Sequence, residues 1–398
     1  MKLTSSAVAD APTARRWPGL DAFRGLAVIG MLLVNNPGDH DAVFAPLRHS
    51  EWHGCTLADL VFPFFLFAVG ITTTISLAAA EKRGDGAGMG TRIWKRAASI
   101  FAIGILLNWF PFYQSGPIAW APHANALDRI VERLLLLRIP GVLQRIAICY
   151  LAAALIARRA SSRTIAAVTA SILLGYWALL GATTIDDPSR TIVAQMDRAF
   201  FDWTRWGLGN HLWDSALTWD PEGLLSTLPA IATTLLGVLC GRWMQAPDRS
   251  RRLSSMVLAG LIATVIGWGW GLVFPLNKSL WTSSYVLFTA GIATLVLAGL
   301  SAALERDASR MWARPLIIFG ENPLVGYAGS ELARHILHSS IKLPSPTGRL
   351  GVDEWTAQAL RGIGFSPEAA SLTWALLFVA LWLAALSRLS RRRLLLRV

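Results

Sequence analysis

Charged residues are scarce in this sequence. Asp, Glu, Lys and Arg make up only 16% of its 398 residues, whereas they make up about a quarter of an average soluble protein. Hydrophobic residues account for 54% of the chain. This balance excludes an ordinary soluble enzyme and predicts a membrane protein.

Cysteine is rarer still, and the positions of its three copies exclude a disulfide framework. Cys149 and Cys240 lie inside apolar segments, and only Cys55 lies in a predicted external loop. The signatures of common soluble enzymes are missing as well: we find no P-loop, no H-E-x-x-H, no G-x-S-x-G and no paired C-x-x-C. No metal site is predicted.

Long apolar segments, in contrast, recur along the whole chain. Each approaches the roughly 17 to 25 residues that a helix needs to cross the hydrocarbon layer of a membrane. We therefore predict an all-α fold, a polytopic membrane protein of about ten transmembrane helices, with 1–19 as an N-terminal segment and 20–398 as a single transmembrane domain. The predicted helices are Leu20–Asn35, Leu57–Ala80, Ile93–Tyr113, Pro140–Ala157, Thr164–Thr183, Ser226–Met244, Leu253–Phe274, Trp281–Leu304, Pro315–Leu332 and Ala369–Ser387.

Lysine and arginine concentrate on one side of the predicted membrane. The N-terminal segment, alternate connections and the C-terminal tail hold 24 of the 37 basic residues but only 7 of the 25 acidic ones. By the positive-inside rule, both termini are then cytoplasmic and the loops 35–56, 114–139, 184–225, 275–280 and 333–368 lie outside. The net charge of +12 is thus explained by basic residues on the cytoplasmic side of a membrane protein, which has lipid as its surrounding partner. A nucleic-acid partner is disfavoured.

Polar residues at or inside the predicted helices are the candidates for function, because burying them in a membrane is costly. The set is Asp21, Arg24, Asn35, Asn36, His49, Asp59, Asn108, Arg145, Glu222, Asn277, Lys278, Glu321 and Asn322. Tryptophan is abundant near helix ends, where most copies are expected to anchor the protein and a few, such as Trp52, to stack on a sugar.

His49 and Asp59 flank the start of the second predicted helix. His49 lies in a tight external loop, where it could transfer protons near neutral pH; a loop histidine without catalytic function is the alternative. Asp59 could orient a histidine or bind a sugar hydroxyl. The spacing Thr56-x-x-Asp59 equally fits a capping box of the helix.

Three further residues each allow a structural and a functional interpretation. Asn35 can end the first helix or donate its amide to a developing oxyanion. Arg24 can pair with Asp21, one turn earlier, or bind a phosphate. Arg145 lies deep in an apolar segment and needs a partner or a water-filled cavity, which favours a function.

Six separated stretches of the chain resemble one known family. They are "LDAFRGLAVIGMLLVNNPG", "HSEWHGCTLADLVFPFFLFAVG", "RIPGVLQRIAICY", "DPEGLLSTLPAI", "PLNKSLWTSSYVL" and "GENPLVGY". In this order they resemble the membrane domain of the heparan-alpha-glucosaminide N-acetyltransferases, and more closely the bacterial transmembrane glucosamine N-acetyltransferases. The chain departs from that pattern at His53, where family members usually carry asparagine.

The resemblance implies a reaction. An acetyl group would pass from cytoplasmic acetyl-CoA, a co-substrate, to the amine of glucosamine or of a glucosamine-containing saccharide on the opposite side of the membrane. It implies that His49 and Asn35 are catalytic, and we add Asp59 as the group that orients His49 or the sugar. A multi-pass location in the bacterial inner membrane and a homodimer are also expected from the resemblance.

Two binding regions follow from this interpretation. Arg24 and Arg145, helped by Lys95 and Arg96 and with Asp21 beside Arg24, are predicted to bind the phosphates of acetyl-CoA. The residues predicted to bind the substrate sugar are Trp52, Glu222, Asn277, Lys278 and Asn322.

Two rival functions use the same residues. A transporter or flippase for amino sugars or glycan fragments would line its path with these polar side chains, although no paired broken helices are evident in the sequence. A related acyltransferase would modify another periplasmic glycan with an acetyl or a longer acyl group.

Overall fold

The computed structural model describes residues 17–86, 88–114, 118, 123, 125–213, 217–245, 248–304, 310–346 and 348–391. This part of the chain is mostly helical, as the sequence predicts. The helices are α1 Pro18–Asn35, α2 Leu57–Lys82, α3 Met89–Trp109, α4 Ala126–Leu135, α5 Val142–Arg159, α6 Ser162–Gly181, α7 Ile192–Phe201, α8 Thr227–Met244, α9 Arg249–Gly271, α10 Ser283–Leu304, α11 Arg310–Glu321, α12 Pro323–His335, α13 Val352–Gly362 and α14 Pro367–Arg391.

Seven of the described helices are long and apolar enough to cross a membrane: α1, α2, α6, α8, α9, α10 and α14. The protein is therefore a multi-pass membrane protein. Two more of the predicted windows are also helical, as α3 and α5, but these helices carry several arginines, including Arg96 and Arg145.

One helix that the sequence predicts as continuous is two helices in the structure. The window Pro315–Leu332 is divided at Asn322 into α11 and α12. Pro323 explains the break, because the ring of a proline clashes with a helical conformation of the residue before it. Asn322 accordingly has φ −130° and ψ 52°, outside the helical region.

The loops between the long helices contain more regular structure than the sequence predicts. Two of them contain α4 and α7, and the loop after α12 contains a short π-helix, Ile336–Ser340, and α13. That loop also forms an antiparallel hairpin of β1 Lys342–Ser345 and β2 Gly348–Gly351, with Lys342 opposite Gly351.

Glycines allow the central helices to cross closely. A Cβ added to Gly70 of α2 would lie 2.0 Å from the carbonyl oxygen of Thr234, and one added to Gly237 of α8 would lie 2.1 Å from that of Phe67. At the crossing of α1 and α11, a Cβ on Gly25 would lie 1.7 Å from the carbonyl oxygen of Leu316. These contacts pack α1, α2, α8 and α11 closely, and the end of α1 and the start of α2 lie together at the site described next.

Candidate active site

A histidine–carboxylate pair forms at the start of α2. His49 Nδ1 lies 2.7 Å from Asp59 Oδ1, in a part-buried contact. Asp59 is fully buried, whereas the His49 side chain is 42% exposed. When Nδ1 donates its proton to the carboxylate, Nε2 is left with a lone pair that can accept a proton.

The other oxygen of Asp59 holds the loop and caps the helix. Asp59 Oδ2 accepts hydrogen bonds from the backbone N–H groups of Ser50, at 3.1 Å, and Thr56, at 3.0 Å. Both hydroxyls of these residues also approach it, at 3.0 and 3.1 Å. The capping box and the histidine contact, which the sequence presented as alternatives, therefore occur together.

Lys278 completes this cluster from the loop between α9 and α10. Its Nζ lies 3.2 Å from His49 Nδ1, 3.3 Å from Nε2 and 3.7 Å from Asp59 Oδ1. Burial lowers the pKa of Lys278, and the carboxylates of Asp59 and Glu222 oppose that shift. A partly buried cation thus lies directly beside the imidazole.

His49 lines a cavity of about 410 Å³, which we call the outer cavity. Asn35 and two of the predicted sugar-binding residues, Glu222 and Lys278, line it as well. The Asn35 amide donates to Glu331 Oε1 at 3.4 Å. Its neighbour Asn36 is buried and donates to the Leu32 carbonyl at 2.7 Å, so Asn36 ends the helix while Asn35 faces the cavity.

Three charged residues of the outer cavity were not predicted from the sequence: Arg138, Glu331 and Arg334. Arg138 binds Asp220 through two hydrogen bonds, at 2.6 and 2.8 Å, and also contacts Glu222. The pKa of Glu222 lies below its usual value. Burial alone would raise this pKa, but the positive charges of Arg138, Arg145 and Lys278 have the larger effect. Glu331 was detectable, because it is an ionisable residue inside a predicted transmembrane window.

A second cavity, of about 350 Å³, lies between α1, α2, α3, α5 and α12, and we call it the inner cavity. Arg24, Arg96 and Asn322 line it. Arg24 Nη1 is 3.4 Å from Asp21 Oδ1, so the predicted pairing of these residues occurs at the edge of a cavity. Tyr327 of α12 lines both the inner and the outer cavity.

Two of the predicted basic phosphate ligands do not line the inner cavity, and neither does Asp21. Lys95 is exposed on α3. Arg145 is buried, donates to the Gly223 carbonyl at 3.2 Å and to Ser226, and lies 5.1 Å from the ring centroid of Trp281. Its contacts are those of a residue that supports the loop carrying Glu222, and its role in phosphate binding stays a prediction.

The remaining predicted sugar ligands occupy other positions. Trp52 donates to the Ile185 carbonyl at 2.8 Å and packs edge-to-face on Trp219, which ties the loop before α2 to the segments on either side of α7. Asn277 is buried and accepts a hydrogen bond from the Leu280 N–H at 2.8 Å, which shapes the turn that presents Lys278. Asn322 lies at the inner rather than the outer cavity.

Comparison with known proteins identifies the chain's relatives. The model of the family described as "Heparan-alpha-glucosaminide N-acetyltransferase, catalytic" matches residues 16–274, which is more than half of the sequence. The chain belongs to this family. The matched range includes His49, Asn35 and the arginines of the inner cavity.

Two curated relatives carry the same name. Heparan-alpha-glucosaminide N-acetyltransferase of Homo sapiens is 28% identical over 374 residues, and that of Mus musculus is 26% identical over 392 residues. These matches cover 80% and 83% of this chain but 53% and 56% of the relatives. The chain therefore spans about half the length of the curated N-acetyltransferases that it matches.

Proposed function

We propose that the protein is a transmembrane N-acetyltransferase that moves an acetyl group from acetyl-CoA to the amine of glucosamine or a glucosamine-containing saccharide. One observation carries the proposal: His49 and Asn35 line the outer cavity, and Tyr327 lines both this cavity and the inner cavity with Arg24 and Arg96. Two substrates that approach from opposite sides can meet at such a junction. Membership of the N-acetyltransferase family supports the reaction.

The inner cavity fits the donor, which is a substrate rather than a resident cofactor. Arg24 and Arg96 provide guanidinium groups for phosphates, and Phe65, Val69 and Ile146 provide apolar walls for the pantetheine arm. Asn322 was predicted from the sequence to bind the sugar. Its position at the inner cavity supports a role in binding the donor instead. The thioester end would reach the outer cavity past Tyr327.

The outer cavity supplies the groups that the transfer needs. With Nδ1 bonded to Asp59, His49 Nε2 removes a proton from the acceptor amine as the nitrogen attacks the thioester carbon. The Asn35 amide donates to the oxyanion of the tetrahedral species. The C–N bond forms, the C–S bond breaks, and the imidazolium returns the proton to the departing thiolate. Transient acetylation of His49 is the alternative order, and trapping of acetyl-histidine would identify it.

The direction of transfer follows from the distribution of charge. We propose ten crossings, in which α11 and α12 together form one, with both termini in the cytoplasm of a bacterium and the protein in its inner membrane. The donor then enters from the cytoplasm and the sugar from the outside. Homodimerisation remains a prediction from the resemblance.

The test is acetyl transfer from acetyl-CoA to glucosamine by the purified full-length protein in detergent. We expect His49→Ala to lower kcat by about 100- to 10,000-fold, the usual contribution of a general base. His53→Ala is the matched control, because His53 lies in the same loop but contacts Asp186, at 3.1 Å, instead of the cavity. Equal loss in both variants, or full activity of His49→Ala, would refute the assignment of the base.

Asn35 and Asn36 provide a second matched pair. Asn35→Ala should lower kcat by about 100- to 1000-fold with little change in thermal stability, because it removes one oxyanion donor. Asn36→Ala should instead lower the melting temperature, because it removes a buried hydrogen bond to the Leu32 carbonyl. The reverse pattern would exclude Asn35 as the oxyanion donor.

A transporter or flippase for amino sugars is the alternative, and the break between α11 and α12 at the inner cavity is the feature that favours it. The protein in liposomes would then take up labelled glucosamine without acetyl-CoA. A screen of acyl-CoA chain lengths and glycan acceptors separates the proposed reaction from transfer of another acyl group.

A further inference from the structure

A groove of about 380 Å³ lies between α6, α8, α9 and α10, and it shares no lining residue with the outer or the inner cavity. Its walls are apolar, with Leu236 and Leu239 from α8, Ala263 from α9 and Leu287 from α10. The function proposed above makes no use of it. We call it the lateral groove.

The lateral groove opens away from the core. Cys240 and Ala290 at its floor are buried, whereas Ala166 and Trp243 at its rim are exposed. The helices explain the opening, because α9 packs mainly along α10 and α6 mainly along α8. The opening faces the side of the helical bundle, where lipid chains surround a membrane protein.

One end of the groove is cationic. Arg163, in the first turn of α6, and Arg242, in the last turn of α8, line it together with the exposed indole of Trp243. Arg242 is held in place by hydrogen bonds to Ser162 Oγ, at 3.0 Å, and to the Ala160 carbonyl, at 2.8 Å. None of the described residues that line the groove is acidic. The N-terminus of α6 adds the positive end of its helix dipole.

The dimensions match one leaflet of a membrane. Leu236 and Trp243 are separated by about 10 Å along α8, at a rise of about 1.5 Å per residue. Leu287 extends the apolar wall further from the cationic end, and half of a hydrocarbon core is about 15 Å thick. The cationic end carries the residues that the positive-inside rule assigns to the cytoplasmic leaflet, whose lipids are partly anionic.

We propose that the lateral groove binds one anionic phospholipid, with an acyl chain along Leu236, Leu239 and Ala263 and the phosphate between Arg163 and Arg242. Charge complementarity selects this occupant, because two arginines without a lining carboxylate favour a net negative head group over a zwitterionic one. Trp243 lies at the level of the head groups, where indole rings are enriched.

The experiment is native mass spectrometry of the full-length protein titrated with phosphatidylglycerol and with phosphatidylcholine of the same acyl chains. We expect one phosphatidylglycerol to bind in preference to phosphatidylcholine. Arg163→Gln should weaken phosphatidylglycerol binding by about fivefold, which is the usual contribution of one arginine to the binding of anionic lipid. Arg251→Gln is the matched control, since Arg251 is exposed on α9 and does not line the groove. Arg242→Gln should act like Arg163→Gln but also loses contacts to the end of α5.

A second variant tests the apolar wall. Ala263→Phe narrows the groove and should weaken phosphatidylglycerol binding while acetyl transfer persists. Equal binding of both lipids, or unchanged binding by Arg163→Gln, would overturn the proposal. Displacement of the lipid by inorganic phosphate alone would make this a free-phosphate site instead. A change in oligomeric state without a change in lipid binding would identify the groove as an interface between copies.

Discussion

Asp59 has a structural role and a proposed catalytic role that cannot be separated by substitution. Its Oδ1 contacts His49 and its Oδ2 caps α2, so one carboxylate orients the proposed base and also fixes the helix that carries it. Tyr285 donates to the Asp59 backbone carbonyl at 2.5 Å and holds the same turn from α10. A substitution of Asp59 would therefore disturb stability and activity together, and neighbouring residues give cleaner tests.

Lys278 is such a residue, and its ammonium should contribute to the reaction through its position in the outer cavity. Its Nζ lies 3.3 Å from His49 Nε2, where a donor group can bind the sugar beside the proposed base. We expect Lys278→Met to lower kcat/KM by about 10- to 100-fold, the usual effect of losing one charged hydrogen bond. Lys278→Arg keeps a charged donor and should retain more activity than Lys278→Met. Full activity of Lys278→Met would show that the ammonium takes no part in the reaction.

At the scale of elements, the crossing of α2 and α8 should be intolerant of a single added methyl group. Gly70→Ala would place a Cβ 2.0 Å from the Thr234 carbonyl oxygen and 2.8 Å from the Val238 nitrogen, and backbone atoms cannot move aside. We expect a loss of about 1–3 kcal/mol of stability, measured as a lower melting temperature in detergent.

Gly299 provides the control for this prediction. A Cβ at Gly299 meets no atom within 4 Å, so Gly299→Ala should keep or raise the melting temperature through the greater helix propensity of alanine, about 1 kcal/mol. Equal effects of the two substitutions would mean that the crossing is not packed this closely.

The loop between α7 and α8 depends on Asp197 in a way that pH should reveal. The buried Asp197 side chain accepts hydrogen bonds from the backbone N–H groups of Leu224, at 3.0 Å, and Asp220, at 3.2 Å, and so holds the loop that carries Glu222. Burial raises the pKa of Asp197 to about 7, against the opposing effect of these hydrogen bonds. In the unfolded chain the pKa of aspartate is about 3.9.

The sign of the pH dependence follows from linkage. The folded state binds this proton more tightly, so its contribution to stability is complete below about pH 4 and is lost as the pH rises through about 7. Wild-type protein should therefore melt at a higher temperature at pH 5 than at pH 8, and Asp197→Asn should reduce that difference. Asp187→Asn should leave it unchanged, because hydrogen bonds from Ser189 lower the pKa of Asp187 and its carboxyl is ionised at both pH values. A difference that persists in Asp197→Asn would assign it to other groups.

At the scale of the whole molecule, two cavities with different chemistry share the lining residue Tyr327 within one helical bundle. The proposed sidedness predicts which surface residues an impermeant thiol reagent can reach. In spheroplasts, a maleimide should label Glu51→Cys in the proposed external loop, whereas Arg83→Cys after α2 should react only after lysis. Both positions are exposed in the structure.

The native cysteines should contribute little background to this experiment. Cys149 and Cys240 are buried, and burial with the nearby charge of Asp59 raises the pKa of Cys55 to about 12, which leaves its thiol unreactive near neutral pH. Labelling of Arg83→Cys in intact spheroplasts, with Glu51→Cys protected, would invert the proposed orientation.

The sequence alone determined the features that depend on local pattern. Runs of apolar residues predicted the positions of the helices because length and desolvation decide what can lie in a membrane, and the motif around His49 predicted the proposed base. The break at Asn322 was also present in the sequence, in the proline that follows it, but the apolar run concealed it. Only the tertiary structure decided which polar groups meet. Asn35 contacts Glu331 across 296 positions and Arg138 contacts Glu222 across 84, and such pairs depend on how helices pack rather than on spacing along the chain.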